Sequence, residues 1–369
     1  MIETGTTFLF SVSICIQFVF FIFIFRRLAV YVSPLKNEPV ITPVSVIICA
    51  HNEKENLQEL LPIIFLQDYK EFEIIVVDDR SQDGTWEYLI KLAESNPQLK
   101  LIQIKEVPSH LSPKKNALTQ GILQASHGLV LLTDADCRPC SYDWISGMNW
   151  QIRGSKEVCL GYSPYQKHKG ILNLMIRFET FYTAIQYFSL ALAGKPYMGV
   201  GRNLAYTKAL FIRNKGFEHH KTIWSGDDDL FGNQSFKKDN ITVSIGSESQ
   251  VLSKPKMSFK DWFYQKSRHL SAGIHYRKDI KFILGLLLFS HCFFYLTWIA
   301  ILIMNGFTLL MIIGFIFRTL LIIYIFVQIS KKFHEHFTWY WLPVLDFLYL
   351  ISYILFGFNS ILSKNSRWT

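Results

Sequence analysis

The aliphatic run at residues 129–133 ends in two carboxylates one residue apart, Asp134 and Asp136, within LVLLTDADCRP. Two acidic side chains at alternate positions after a strand can grip one hard cation. Mg²⁺ or Mn²⁺ would keep several waters and take its other ligands from a phosphate-bearing substrate. Three further places carry clustered polar groups. Ala50, His51, Asn52 and Glu53 follow VSVIIC, Asp78 and Asp79 follow FEIIVV, and Asp227, Asp228 and Asp229 lie in SGDDDLF. Carboxylates brought together from separate loops repel one another unless a cation or a sugar-rich ligand lies among them. Each Asp alone also reads as a helix cap or turn former, and one of the 227–229 triplet is expected to be only that.

What must position these groups is a set of strands alternating with helices. VSVIIC, FEIIVVDD, LKLIQI and residues 129–133 read as strands. Between them, Leu57, Leu60, Leu61 and Ile64, then Trp86, Leu89, Ile90 and Ala93, recur at helical spacing, and residues 114–125 read as a third helix. Alternation of this kind predicts an α/β fold with a mostly parallel sheet covered by helices on both faces. Strands buried on both faces are solidly apolar, as these are. Ligands in such sheets sit at the carboxyl ends of the strands, where Glu53, Asp78, Asp79, Asp134 and Asp136 fall. No GxGxxG or Walker A loop is present, which disfavours a Rossmann dehydrogenase or a P-loop enzyme. Cys137 and Cys140 form a CxxC with no second pair, so reduced thiols are expected there rather than zinc.

Half of the 369 residues are hydrophobic, 31 are Phe, and the net charge is +9. That composition predicts a membrane component. With no Arg-rich tail or nucleic-acid module, the positive charge points to lipid and to an anionic small substrate, with no nucleic acid as partner. Residues 8–25 are almost wholly apolar and are followed by Arg26 and Arg27. Residues 282–304, 307–328 and 339–362 are the other runs near the length of about 20 that a span requires. Basic residues after the first run, and Lys331 and Lys332 between the last two, predict a cytoplasmic domain between the first and second spans. The tail, with Lys364 and Arg367, would then lie outside, unless 339–362 is re-entrant or lies on the surface. Arg318 and Asp346 are expected to pair within the spans. Basic and aromatic residues interleave through 254–281, as in a helix lying in the headgroup plane. Residues 171–193 read as an amphipathic or core helix, because Arg177 and Glu179 interrupt them. The expected organisation is a spanning helix at 1–27, a catalytic domain at 28–253, an interfacial region at 254–281 and a membrane region of about three helices at 282–369.

Six signatures in order, from Val44 to His269, resemble the membrane-bound inverting glycosyltransferases of family 2, the cellulose, chitin and hyaluronan synthase superfamily. VSVIICAHNE and VVDDRSQDGT resemble its first two nucleotide-binding strands, KKNAL its KxxAL helix start, DADC its DxD, and SGDDDLF its ED-type block. QKSRH resembles QxxRW with His269 in place of Trp.

The resemblance implies a GT-A fold and an integral protein of a bacterial-type cell membrane, serving envelope polysaccharide or glycolipid chemistry. Glu53 and Asp79 would hold the base and ribose of a nucleoside diphosphate sugar, UDP-linked by preference, with Ala50 and Asn52 beside them. Lys114 would meet phosphate or uracil oxygens, Asp134 the sugar or ribose, and Asp136 the metal. One of Asp227, Asp228 and Asp229, with Asp227 favoured, would be the base toward an acceptor hydroxyl. Arg268 would meet the diphosphate, Gln265 would lie with it against the substrate, and Gly199 and Gly201 would let substrate approach. The acceptor would be a glycolipid, a polyprenyl-linked lipid or a polysaccharide. His269 and the small number of C-terminal spans favour transfer of one or a few sugars over processive synthesis. A catalytically inactive scaffold would lack the acidic residues, and all are present.

Overall fold

The computed structural model describes residues 2–34, 42–108 and 111–362. Lys364 and Arg367 lie outside the described residues. The chain opens with α1 (Ile2–Val19), a widened turn at Phe20–Phe25 and α2 (Arg26–Val30). Then come β1 (Val44–Ala50), α3 (Lys54–Phe65), β2 (Phe72–Asp79), α4 (Thr85–Glu94), β3 (Leu99–Ile104), α5 (Pro113–Gln124) and β4 (Leu129–Asp134). A second half carries β5 (Cys137–Pro139), α6 (Trp144–Asn149), β6 (Val158–Gly161), the long α7 (Ile171–Leu192), β7 (Leu204–Thr207) and α8 (Lys208–Arg213). It closes with α9 (Asp229–Ser235), β8 (Ile241–Ser244) and β9 (Val251–Ser253). α10 (Phe259–Ala272), α11 (Lys278–Asn305), α12 (Leu309–Lys332) and α13 (Leu342–Leu362) follow.

Seven strands form one sheet in the order β3-β2-β1-β4-β7-β6-β8. The first four run parallel. β7 is antiparallel to both neighbours, and β8 pairs parallel with β6. Alternate side chains of β1 and β2 enter two different cores. Ile47, Ile75 and Val77 face one, and Val46, Ile48, Ile74 and Val76 the other. That is why the strands tolerate no polar alternation. β3, at the sheet edge, is half exposed and admits Lys100 and Gln103. Helix α5 lies very close to the sheet. A Cβ on Gly121 would come within 2.8 Å of the Ile47 side chain, so only glycine allows this approach.

α7 is a core helix, buried along most of its length. Its interrupting charges are neutralised. Arg177 pairs with Glu335 and Glu179 with Lys266 of α10, all four being buried or nearly so. Unpaired, such charges would cost several kcal/mol each.

Among the described residues, four helices are long and apolar enough to cross a membrane: Glu3–Val30, Lys278–Asn305, Leu309–Lys332 and Trp339–Ser360. Arg318 donates to Asp346 at 2.8 Å, as its place in the sequence led us to expect. The pair belongs to a larger cluster. Tyr295 donates to Asp346 at 2.8 Å, the His291 ring lies 3.1 Å away, and Arg318 also donates to Gln17 at 2.6 Å. α1, α11, α12 and α13 are therefore joined at one level. Beyond Asp346, α13 runs beside the central domain. Tyr349 lies edge-on to Tyr182 of α7, and Phe356 lies edge-on to Trp262 of α10 at 4.9 Å. The interfacial expectation for 254–281 is thereby modified. Met257, Phe259 and Tyr264 are exposed, but Trp262 is fully buried against α13 rather than in a headgroup layer. Burying a large aromatic in this way stabilises by about 2–3 kcal/mol.

Candidate active site

The carboxyl ends of β1 and β4, the start of α5, the turn before α9 and the inner face of α10 line one cavity of about 970 Å³. Glu53, Lys114, Asp134, Asp136, Asp227, Asp228, Asp229, Gln265 and Arg268 all face it. They come from five separate stretches of sequence.

Lys114 stands at the centre. Its Nζ lies 3.1 Å from Asp134 Oδ1 and 3.2 Å from Asp227 Oδ2. Burial alone would lower its pKa, but the two carboxylates outweigh burial and hold the ammonium well above its ordinary value. Asp227 answers in kind. Burial would raise its carboxyl, yet Lys114 keeps it below the usual range, so it is ionised at neutral pH.

Its two neighbours differ. Asp228 caps α9, its Oδ1 accepting from the Asp229 amide at 2.9 Å and its Oδ2 from the Gly201 amide at 2.6 Å. Asp229 accepts from the Tyr276 hydroxyl at 2.8 Å. Burial, then the charge of Asp228, pushes its carboxyl well above the usual carboxylate range. Three adjacent acids thus have three environments, and the cap is Asp228. Gly226 has φ of 77°, a left-handed turn that a larger residue would strain, and a Cβ there would also meet Leu230 at 2.7 Å. This turn aims Asp227 at the cavity.

Two residues escaped the sequence reading. Lys115, beside Lys114, points inward and is buried. Its three ammonium protons go to the carbonyls of His220, Ile223 and Ser225 at 2.8, 2.9 and 2.9 Å. It holds the loop that carries Asp227. Burial lowers its pKa to about 8, with the nearby Asp residues partly opposing. The signal was the KK pair itself, since adjacent helix residues project about 100° apart and cannot share a role. Arg202 lies over the Tyr165 ring, 4.6 Å from its centroid, lines the cavity, and its charge bears on Asp136. Its signal was an Arg directly after Gly201.

Other expected residues sit elsewhere. Asp79 is fully buried and held by Arg80 at 2.8 and 3.1 Å, outside the cavity lining. Asn52, at φ of 56°, braces two loops: its amide donates to Ser81 at 2.8 Å and its side chain accepts from Gln82 at 2.7 Å. Ala50 is buried at the end of β1. Gly201 acts through its amide on Asp228. A Cβ there would stand 3.5 Å from Asp228 Oδ2 and 3.7 Å from Asp227 Oδ2, on the side of the site carboxylates. Glu53 accepts from Asn56 at 2.6 Å, and burial, with Asp136 and Asp134 nearby, raises its carboxyl. His269 is kept neutral by burial and by Lys266 and Arg268, which push it well below its usual value.

Among the described residues, no group of three or more His, Cys, Asp or Glu is arranged to hold a metal unaided. The donor set still fits a shared cation. Burial, then the charge of Asp134, raises the Asp136 carboxyl, and a cation between them would relieve both. The missing ligands would be phosphate oxygens and water. All six cysteines are free, and the CxxC holds no metal cluster among the described residues.

Residues 45–195 match the family model for glycosyl transferase family 2. A stretch of 93 residues is 33% identical to the poly-beta-1,6-N-acetyl-D-glucosamine synthase of Staphylococcus aureus (strain COL), covering 25% of this chain and 21% of that protein. The Staphylococcus epidermidis protein of the same name matches equally, at 33% over 93 residues. The match thus spans about a fifth of the length of these curated relatives. Among solved structures, the mannosyltransferase PcManGT from Pyrobaculum calidifontis, in complex with GDP-Man and Mn²⁺, is similar in fold. It has a TM-score of 0.62 and 18% identity over 99% of this chain and 100% of that one. The helix-covered sheet, its acidic carboxyl edge and the matched segment agree: residues 45–195 are a glycosyl transferase family 2 domain with a GT-A-like α/β fold.

Proposed function

We propose that the protein is an inverting glycosyltransferase, moving a sugar from a nucleoside diphosphate sugar to a hydroxyl of a membrane-associated acceptor. The observation that carries this reading is Asp227, ionised and aimed at the cavity opposite Asp134, with Lys114 between them. The acceptor oxygen bonds to the anomeric carbon as the bond from that carbon to the diphosphate oxygen breaks. The electron pair leaves with the diphosphate, and the hydroxyl proton passes to Asp227. Attack from the opposite face inverts the anomer. Asp136 and Asp134 would hold Mg²⁺ or Mn²⁺, which when bound neutralises charge on the leaving diphosphate. Lys114 and Arg268 add fixed positive charge to the same end.

The similar fold of PcManGT, solved with GDP-Man, supports a sugar nucleotide as donor, and the resemblance of the motifs makes UDP our preferred carrier. The Staphylococcus relatives are named as polymer synthases, which keeps processive synthesis as a second reading. His269 in place of the aromatic Trp favours transfer of one or a few sugars. Arg26, Arg27, Lys331 and Lys332 at the domain-side ends of their helices favour a cytoplasmic active site.

The test is a panel of UDP- and GDP-sugars offered to the purified full chain with membrane lipid, with and without Mn²⁺. Release of nucleoside diphosphate should require the cation and fall at least a hundredfold in Asp136→Ala. Full turnover in excess EDTA, or in that variant, would overturn the reading.

A further inference from the structure

The cavity does not end beneath the acidic side chains. It continues between the first turns of α11 and the last turns of α13, where Leu284, Gly285 and Leu288 face Phe356 and Gly357. Its volume of about 970 Å³ is at the top of the range for small-molecule sites, roughly 300–1,000 Å³. A Cβ on Gly285 or on Gly357 would have no neighbour within 4 Å, so both walls border open space. The two ends differ in chemistry. One is acidic and cationic. At the other, Leu284, Leu288 and Phe356 are apolar, Ser360 spends its hydroxyl on the Gly357 carbonyl at 2.7 Å, and Lys281, at the edge, donates to the Ile274 carbonyl at 3.3 Å. Phe282 and Phe289 are exposed on the same part of α11, a helix long and apolar enough to cross a membrane. Tyr276 and Tyr353 line the passage between the ends.

Resting on the glycosyl-transfer reading above, we infer that the cleft between α11 and α13 admits the hydrocarbon chain of a hydroxyl-bearing membrane lipid, whose head reaches Asp227. A glycan acceptor or a growing polysaccharide would need hydrogen-bond partners along its path, and Leu284, Leu288 and Phe356 offer none to its hydroxyls. A hydrocarbon chain needs none. The cleft opens at the end of α11 nearest the catalytic domain, so a lipid of that leaflet enters sideways without leaving the bilayer. The glycines keep the walls apart, and the tyrosines bridge the change from hydrocarbon to polar surroundings.

The experiment uses the full chain in vesicles of phosphatidylcholine and diacylglycerol supplemented with total lipid from the producing cells. The donors are radiolabelled UDP-glucose, UDP-N-acetylglucosamine and GDP-mannose. Label should enter the organic-extractable fraction with wild type. Gly285→Trp and Gly357→Trp, from opposite walls, should each lower that transfer at least tenfold while donor binding changes less than twofold. Phe289→Trp, on the exposed side of α11, should transfer as wild type. Wild-type transfer by both glycine variants, or label confined to water-soluble product, would overturn the cleft. If wild type binds none of the donors, the glycosyl-transfer reading fails first, and the cleft with it. Because donor binding is read separately, a misfolded glycine variant is recognised by its loss, and the other wall still decides.

Discussion

Lys114 and Asp227 are ion-paired across the floor of the cavity, 3.2 Å from Nζ to Oδ2, although they lie on different elements more than a hundred residues apart. The pair fixes the protonation of both partners: the carboxylate stays ionised and the ammonium stays charged. A donor diphosphate entering the site would compete with Asp227 for Lys114. The base would then be released as the substrate arrives.

Replacing each acid of the triplet by Asn should separate their roles. Asp227→Asn should lower transfer by about 10²-fold or more, the scale of a lost general base. Asp228→Asn should keep one oxygen for the α9 cap and lose the acceptor for the Gly201 amide, with a stability loss of about 1 kcal/mol. Asp229→Asn should be milder still in rate, because Asp229 accepts from the Tyr276 hydroxyl and makes no contact with Lys114. Initial rates and thermal midpoints of the three purified variants decide this. Equal, small losses at all three positions would defeat the assignment of Asp227.

The contrast among these acids shows what sequence could and could not convey. Strands buried on both faces must be uninterrupted aliphatic runs, so β1, β2 and β4 and their acidic ends were legible. Asp134, Asp136, Lys114 and the triplet followed from their place at strand or helix ends. Which triplet member is the cap depends on the Gly201 amide, which is remote in sequence and invisible to any local pattern. Lys115 was missed because a buried ammonium on backbone carbonyls has no sequence signature beyond its charged neighbour. Asp79 and Asn52 lie at the expected strand ends, yet Arg80 and the neighbouring loop occupy their polar atoms. The course of α13 was equally hidden, since hydropathy reports solubility in lipid and not the neighbours a helix finds.

Lys115 predicts a pH dependence of stability with a definite sign. Its folded pKa is about 8, depressed from 10.5 by burial. Below pH 8 the residue is charged in both folded and unfolded states. Between about 8 and 10.5 the unfolded chain binds more protons, so the contribution of Lys115 to stability rises with pH. The thermal midpoint of wild type minus that of Lys115→Met should therefore increase across this window in detergent. A flat or falling difference would show that the loop at His220 to Ser225 is held by other contacts. Transfer by Lys115→Met should also fall about tenfold or more, through misplacement of Asp227 rather than loss of donor affinity.

The membrane cluster predicts a non-additive pair. Arg318 and Asp346 are almost fully buried and share a 2.8 Å contact. Removing one partner leaves an unpaired charge in the bundle. Arg318→Leu should thus destabilise by about 3–5 kcal/mol, the usual penalty for breaking a buried pair. Arg318→Leu with Asp346→Leu should destabilise less than the single change, since no charge remains. Denaturation of the reconstituted proteins would measure both. Equal losses would mean that His291 and Tyr295 alone satisfy Asp346.

The last helix makes the sharpest topological prediction. By length and composition, Trp339–Ser360 can cross a membrane. Its contacts describe a different course. Asp346 meets His291 and Tyr295 near the middle of α11. Ten residues on, Phe356 meets Trp262 and Phe263 of α10 and shares the cavity with Leu284, in the first turns of α11. α13 therefore rises from the middle of the bundle back toward the catalytic domain. Both flanks of the segment then belong to one side, because Phe337 packs on Phe178 and Phe181 of α7. A tail bearing Lys364 and Arg367 on that side also obeys the preference of basic residues for the cytoplasm. A reporter fused after Leu362 should respond to impermeant reagents from the same face as Ser155→Cys in the catalytic domain, and opposite to Asn305→Cys at the far end of α11. A reporter on the Asn305 side would establish a full crossing and refute the re-entrant course.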